Sequence, residues 1–145
     1  MERIVLAEIT VGRDKMLWET VDGRMVWADC DRNLGSVMGA VSAMAKVLCR
    51  QTGTTEALTS ATVLTAFRVE PLTVAPYAFR LIMESGPLRF TCNLDRDLEH
   101  ILAGFSAAMR FFALKRGVVV VDEEVTRNTE RARELGLYTA PEGTA

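Results

Sequence analysis

Hydrophobic and polar positions change period several times along the chain, and each change marks an element. Residues 4–11 form a β-type run with apolar residues on both faces, which predicts a strand covered on both sides. Gly12-Arg13-Asp14-Lys15 breaks it as a turn. Residues 17–21 and 24–30 are two further runs around Asp22-Gly23, a dipeptide suited to a type I′ hairpin turn because Gly accepts a positive φ at no steric cost. In the third run Met25 and Trp27 share one face, and Val26, Ala28 and Cys30 share the other.

From Asn33 to Gln51 the period becomes helical, with Leu34, Met38, Val41, Met44 (or Ala45) and Leu48 in one stripe. Asn33 is suited to the N-cap and Thr52-Gly53 to the stop. Residues 61–69 return to strand character, with Val63, Phe67 and Val69 on one side, and Pro71 and Pro76 bracket a loop. Tyr77, Phe79, Leu81 and Met83 alternate with Arg80 and Glu84; Ser85-Gly86-Pro87 turns the chain into Leu88, Phe90 and Cys92 alternating with Arg89, Thr91 and Asn93. This is the pattern of an antiparallel hairpin with one wet face. Residues 95–116 predict a second long helix, its stripe being Leu98, Ile101, Leu102, Phe105, Met109 and Phe112. A short apolar run follows at 118–121, then a helix over 122–135.

The order is therefore βββα-βββα plus a short C-terminal helix. It predicts an α+β fold in which two long helices pack on a single antiparallel sheet of about five to six strands. No internal repeat or linker is read in it, so residues 1–138 are expected to form one domain and 139–145 a flexible tail. At 145 residues, 49% apolar and 25% charged, the chain can build a core without disulfides or metals. Lys+Arg 17 against Asp+Glu 19 gives net −2, which argues against an electrostatic nucleic-acid binder. No apolar stretch reaches the length of a membrane helix, so no membrane insertion is expected. The N-terminal residues lack a signal-peptide core, and Cys30, Cys49 and Cys92 form no C-x-x-C pair. Buried free thiols in a reducing, cytoplasmic setting are the expectation.

Enzyme signatures for phosphate, dinucleotide, serine-nucleophile and zinc-protease sites are absent, and no cofactor or metal is expected. His100 is the one histidine, and it falls on the second long helix as a surface or half-buried residue. Asp29 and Asp31 form the densest acidic group outside the helices, at a strand end before a helix N-terminus; they read either as a polar site or as capping acids. Within the first helix Gly35, Gly39 and Ala43 are four apart and share one face. With Met38 they make a strip on which another backbone can approach closely, either the protein's own sheet or the same helix of a second subunit.

Val21-Asp22-Gly23-Arg24-Met25-Val26-Trp27-Ala28, then the Asp-rich turn, then the small-residue helix Gly39-Ala40-Val41-Ser42-Ala43-Met44-Ala45, resembles roadblock/LC7 domains, and the order is similar to the related longin domains. The match of element order runs from Leu17 to Phe112; roadblock domains open with a helix where residues 4–11 read as a strand, and residues 118–135 are additional. The resemblance implies a non-enzymatic, homodimeric scaffold or regulatory subunit, of a kind that engages small GTPases. A competing likeness lies in Val26-Trp27-Ala28-Asp29-Cys30-Asp31, which resembles the strand-end motif of 4-hydroxybenzoyl-CoA-type hotdog thioesterases. It implies an acyl-CoA hydrolase with Asp31 as nucleophile or general base. The helix over 95–116 stands where a hotdog continues as strands. A small-ligand-binding or chaperone-like protein is the third reading. The leading expectation is a cytoplasmic interaction module, dimeric through the first helix and a sheet edge.

Overall fold

The computed structural model describes residues 3–49 and 62–115, with the backbone only at Cys49. The expected end of the first helix, the run 118–121, the helix 122–135 and the tail 139–145 lie outside the described residues. The described elements are β1 (Leu6–Val11), β2 (Lys15–Thr20), β3 (Met25–Asp29), α1 (Leu34–Cys49), β4 (Ala66–Pro71), β5 (Phe79–Ser85), β6 (Leu88–Leu94) and α2 (Leu98–Lys115).

The α+β class and the βββα-βββα order hold, but the single sheet does not. The strands form two antiparallel three-stranded sheets, β1-β2-β3 and β4-β5-β6. Each is a meander closed by short turns, as consecutive strands joined by few residues must be. The sheets meet through β1 and β4, and α1 and α2 lie against each other.

The expectation of no internal repeat is also overturned. Each half is a βββα unit whose helix packs on its own third strand, α1 on β3 and α2 on β6. The junctions between the halves are reciprocal. Leu34 N–H donates to Thr62 O at 2.9 Å and Leu98 N–H to Ile4 O at 2.9 Å. Leu64 N–H donates to Arg32 O at 2.7 Å and Leu6 N–H to Arg96 O at 2.8 Å. Isolated bridges join Val5 to Asp97 and Asn33 to Val63. Such exchange of equivalent bonds is what an approximate two-fold axis between two copies of one unit produces.

Register agrees with that symmetry. Val11 faces Met16 and Ile9 faces Trp18 in the first sheet; Val69 faces Leu81 and Phe67 faces Met83 in the second. Met16–Ala28 and Trp18–Val26 match Leu81–Cys92 and Met83–Phe90. Asp31-Arg32-Asn33-Leu34 matches Asp95-Arg96-Asp97-Leu98, and Asn33 Oδ1 and Asp97 Oδ1 each accept the N–H two residues on, at 2.9 Å. These are the N-cap bonds of α1 and α2. The halves differ most at the first hairpin, where Gly12–Asp14 is replaced by the longer loop Leu72–Ala78.

One core fills the space between the layers. Trp18, Met16, Leu34, Met38 and Met44 from the first half meet Leu81, Met83, Leu94, Ile101, Phe105 and Phe112 from the second. Phe67 and Phe105 meet edge to face with centroids 6.2 Å apart. In β1 a bulge at Ala7 shifts the register between Leu6 and Glu8, so that Leu6 and Ile9 both reach the core despite their odd spacing. Arg96 Nη1 donates to the carbonyls of Leu6 and Ala7 at 3.1 and 2.6 Å, which satisfies the irregular backbone there. Val63 was expected to share a face with Phe67, but it is exposed while Phe67 and Leu64 are buried. The cause is that β4 proper begins only at Ala66 and Val63 belongs to the bridge with Asn33.

Candidate interaction surface

The largest solvent-facing apolar side chains of the first half gather on one strand. β3 follows a hairpin turn fixed by its own polar groups. Gly23 N–H donates to Thr20 O at 3.1 Å, so Val21 and Asp22 are the central residues of the turn. Gly23, at φ 91°, is the left-handed bulge residue of a three-residue loop, in place of the expected type I′ turn. The Thr20 hydroxyl donates to the Asp22 carboxylate, and Arg24 N–H donates to Thr20 Oγ1 at 2.9 Å. The Thr20 hydroxyl, then Arg24, holds the Asp22 carboxyl below its ordinary range. The turn therefore presents β3 in one register: Lys15 faces Asp29, Leu17 faces Trp27 and Glu19 faces Met25.

Alternation then decides what β3 shows. Val26, Ala28 and Cys30 point to the core side under α1, so Met25, Trp27 and Asp29 point outward. Met25 is 59% and Trp27 58% exposed, and Val21 beside them is exposed too. Lys15 Nζ lies 4.5 Å from the Trp27 ring centroid, a cation–π contact across the outward face. β3 is also an edge strand. Thr20 N–H donates to Arg24 O and Cys30 N–H to Asp14 O, so even-numbered residues turn their peptide groups toward β2. Met25, Trp27 and Asp29 turn theirs away from the sheet, and among the described residues no strand pairs with them.

The second half supplies an internal control. The counterparts of Met25, Trp27 and Asp29 are Arg89, Thr91 and Asn93 on β6, also an edge strand. Its outer face is polar: Arg80 Nε donates to Asn93 Oδ1 at 3.3 Å, and Arg68 pairs with Glu70 at 3.3 Å. The same fold position is thus met with Thr in one half and an exposed Trp in the other. The fold alone does not demand the tryptophan.

The residues singled out in the sequence divide. Asp31 Oδ1 accepts from Asn33 N–H at 3.1 Å, and Asp95 Oδ1 accepts from Asp97 N–H at 2.8 Å. Asp31 and its counterpart make the same turn before each helix, the capping member of the two readings. Asp29 is exposed at the end of β3, across from Lys15. On α1, Gly35 and Met38 are buried, Gly39 is half-buried and Ala43 is exposed, with Val47 one turn on at 73% exposure. The strip thus begins inside the core and emerges at its C-terminal end. His100 is half-buried, its Nε2 3.2 Å from Asp95 Oδ2. Burial raises the Cys30 thiol to about 11 and the Cys92 thiol to about 12, so both are protonated, poor nucleophiles near neutrality.

A cleft of about 520 Å³ opens between the Leu72–Ala78 loop and Asp95–Asp97. Its charged walls are already engaged: Arg3 pairs with Asp97 at 2.7 Å and Arg96 holds the β1 bulge. Among the described residues no cluster of three His, Cys, Asp or Glu could hold a metal ion, and no helix is long and apolar enough to cross a membrane. The outward face of β3 is the feature that sequence periodicity located but did not rank. Alternation placed Met25 and Trp27 together; which face would be buried depended on where α1 packs. Comparison with protein-family models, curated proteins and solved structures finds no match to this chain.

Proposed function

We propose that this chain is a non-enzymatic protein-interaction module that acts as a homodimer, a scaffold or regulatory subunit whose contact surface is the edge strand β3 with the emerging strip of α1. The observation that carries this reading is the exposed pair Met25 and Trp27, set on a strand whose duplicate carries Arg89 and Thr91. An exposed indole beside a methionine is the composition of a contact patch centre. Gly39, Ala43 and Val47 add a low-relief surface on α1, which packs on the inner face of the same strand. The likeness of the hairpin and helix to roadblock and longin domains points the same way, and makes a small GTPase a reasonable second partner in a cytoplasmic setting. Light scattering tests the homodimer: a mass of twice 16.0 kDa is expected. A single-chain mass that persists at the highest attainable concentration refutes it.

A further inference from the structure

Resting on that reading, we infer that two copies join through β3 itself, in antiparallel pairing centred on Trp27, and that the polar β6 edge closes the assembly at two. The backbone sets the geometry. The outward peptide groups of β3 belong to Met25, Trp27 and Asp29. A two-fold axis perpendicular to the sheet keeps like faces together only if odd residues meet odd residues. Of such registers, the one centred on Trp27 overlaps the whole of Met25–Asp29 with its copy. Trp27 then meets Trp27, and Met25 meets Asp29.

Side chains favour this register over its neighbours. Shifting the centre toward Asp29 sets that carboxylate against its own copy, a like-charge contact. Centred on Trp27, each Asp29 lies between its own Lys15 and the partner's methionine. The strand end carrying Arg24, which already contacts Asp22, lies beside the partner's Asp29–Asp31 end. The two Leu17–Trp27 rows join into one apolar row across the new six-stranded sheet. α1 covers β3 on the inner side, so the two copies of α1 come alongside each other there.

Closure follows from the duplication. A molecule with two equivalent apolar edges would add copies at both ends and grow into a filament. β6 presents Arg89, Thr91 and Asn93 at the matching positions, with Arg89 4.0 Å from Glu84. Charge on an edge strand is a standard block to pairing.

The test uses the full chain and three sets of variants. Met25→Arg with Trp27→Thr, which copies β6 onto β3, is expected to give a folded monomer with at least ~30-fold weaker association. Met25→Cys mixed with Asp29→Cys is expected to form an intermolecular disulfide, since facing Cα atoms lie about 5.5 Å apart. Met25→Cys alone is expected to form none, its two copies being ~13 Å apart along the strands. Arg89→Met with Thr91→Trp is expected to produce larger assemblies; if it stays dimeric, the role of β6 in closure is overturned. A dimer that survives the first variant and gives no mixed disulfide overturns the β3 register while leaving the homodimer standing. A monomeric wild type overturns both readings. Shielding of Trp27 from iodide in that monomer would then assign the edge to another segment of the same chain, and an accessible Trp27 would leave it for a different polypeptide.

Discussion

Gly104 is the point at which the two halves are most tightly specified. It sits in the middle of α2, buried against β6, and a Cβ there would overlap Leu94 Cδ2 and come within 3.3 Å of Cys92 Sγ. Its counterpart on α1 is Ala40, and the counterpart of Leu94 is Cys30; both are buried. The first half therefore has the larger helix residue with the smaller strand residue, and the second half the reverse. Gly104→Ala gains about 1 kcal/mol of helix propensity and loses about 1–3 kcal/mol to overpacking. Leu94 is 0% exposed, so its side chain has no free solvent to retreat into. A net loss of up to ~2 kcal/mol is expected, a urea midpoint lower by up to ~1 M. Leu94→Cys alone leaves a cavity and costs ~1.5–3 kcal/mol. Together the two changes rebuild the Ala40–Cys30 arrangement. The double variant should then be more stable than the sum of the single losses by at least ~1 kcal/mol. Urea denaturation of the four proteins closes the cycle; losses that add to within ~0.5 kcal/mol refute the complementary packing.

Three further outcomes are expected. Gly23→Ala forces a side chain into φ 91° and should cost about 1 kcal/mol, read as a lower thermal midpoint, although nothing lies within 4 Å of the added methyl. Asn33→Ala and Asp97→Ala each remove an N-cap and should cost ~0.5–2 kcal/mol in urea denaturation, with Asp97→Ala the larger because it also frees Arg3. Cys30 and Cys92 hold their protons in the folded chain to about 11 and 12, above the ordinary 9.0, so the unfolded chain ionises first. Their contribution is complete below pH 9.0 and is lost as pH rises toward 11 and 12. Cys30→Ala with Cys92→Ala should flatten that alkaline fall in the urea midpoint, and an unchanged pH dependence would count against the buried thiols as its cause.

Local order along the chain was legible wherever one physical signal dominated. The Asp22-Gly23 turn, the α1 cap at Asn33, and the alternation of Phe79, Leu81 and Met83 against Arg80 and Glu84 are written in residue types whose conformational preferences are intrinsic. The duplication was present in Asp31-Arg32-Asn33-Leu34 and Asp95-Arg96-Asp97-Leu98, yet it escaped periodicity. Beyond that tetrapeptide the halves share burial and register more than residue identity, and the longer Leu72–Ala78 loop changes the spacing. A similar limit applied to the candidate surface. Periodicity sorted β3 into Met25 and Trp27 on one side and Val26, Ala28 and Cys30 on the other. Both sides are apolar enough to be buried.

What the sequence determined by itself was, within the described residues, the set of elements and their order, because turns, caps and amphipathic stripes depend on neighbours a few residues away. Tertiary structure decided the division into two sheets, the two-fold relation of the halves, and the face of β3 left to solvent. Each of these depends on pairings between residues as far apart as Leu6 and Arg96 or Leu34 and Thr62, and local preference carries no information about which distant partner a backbone group will find.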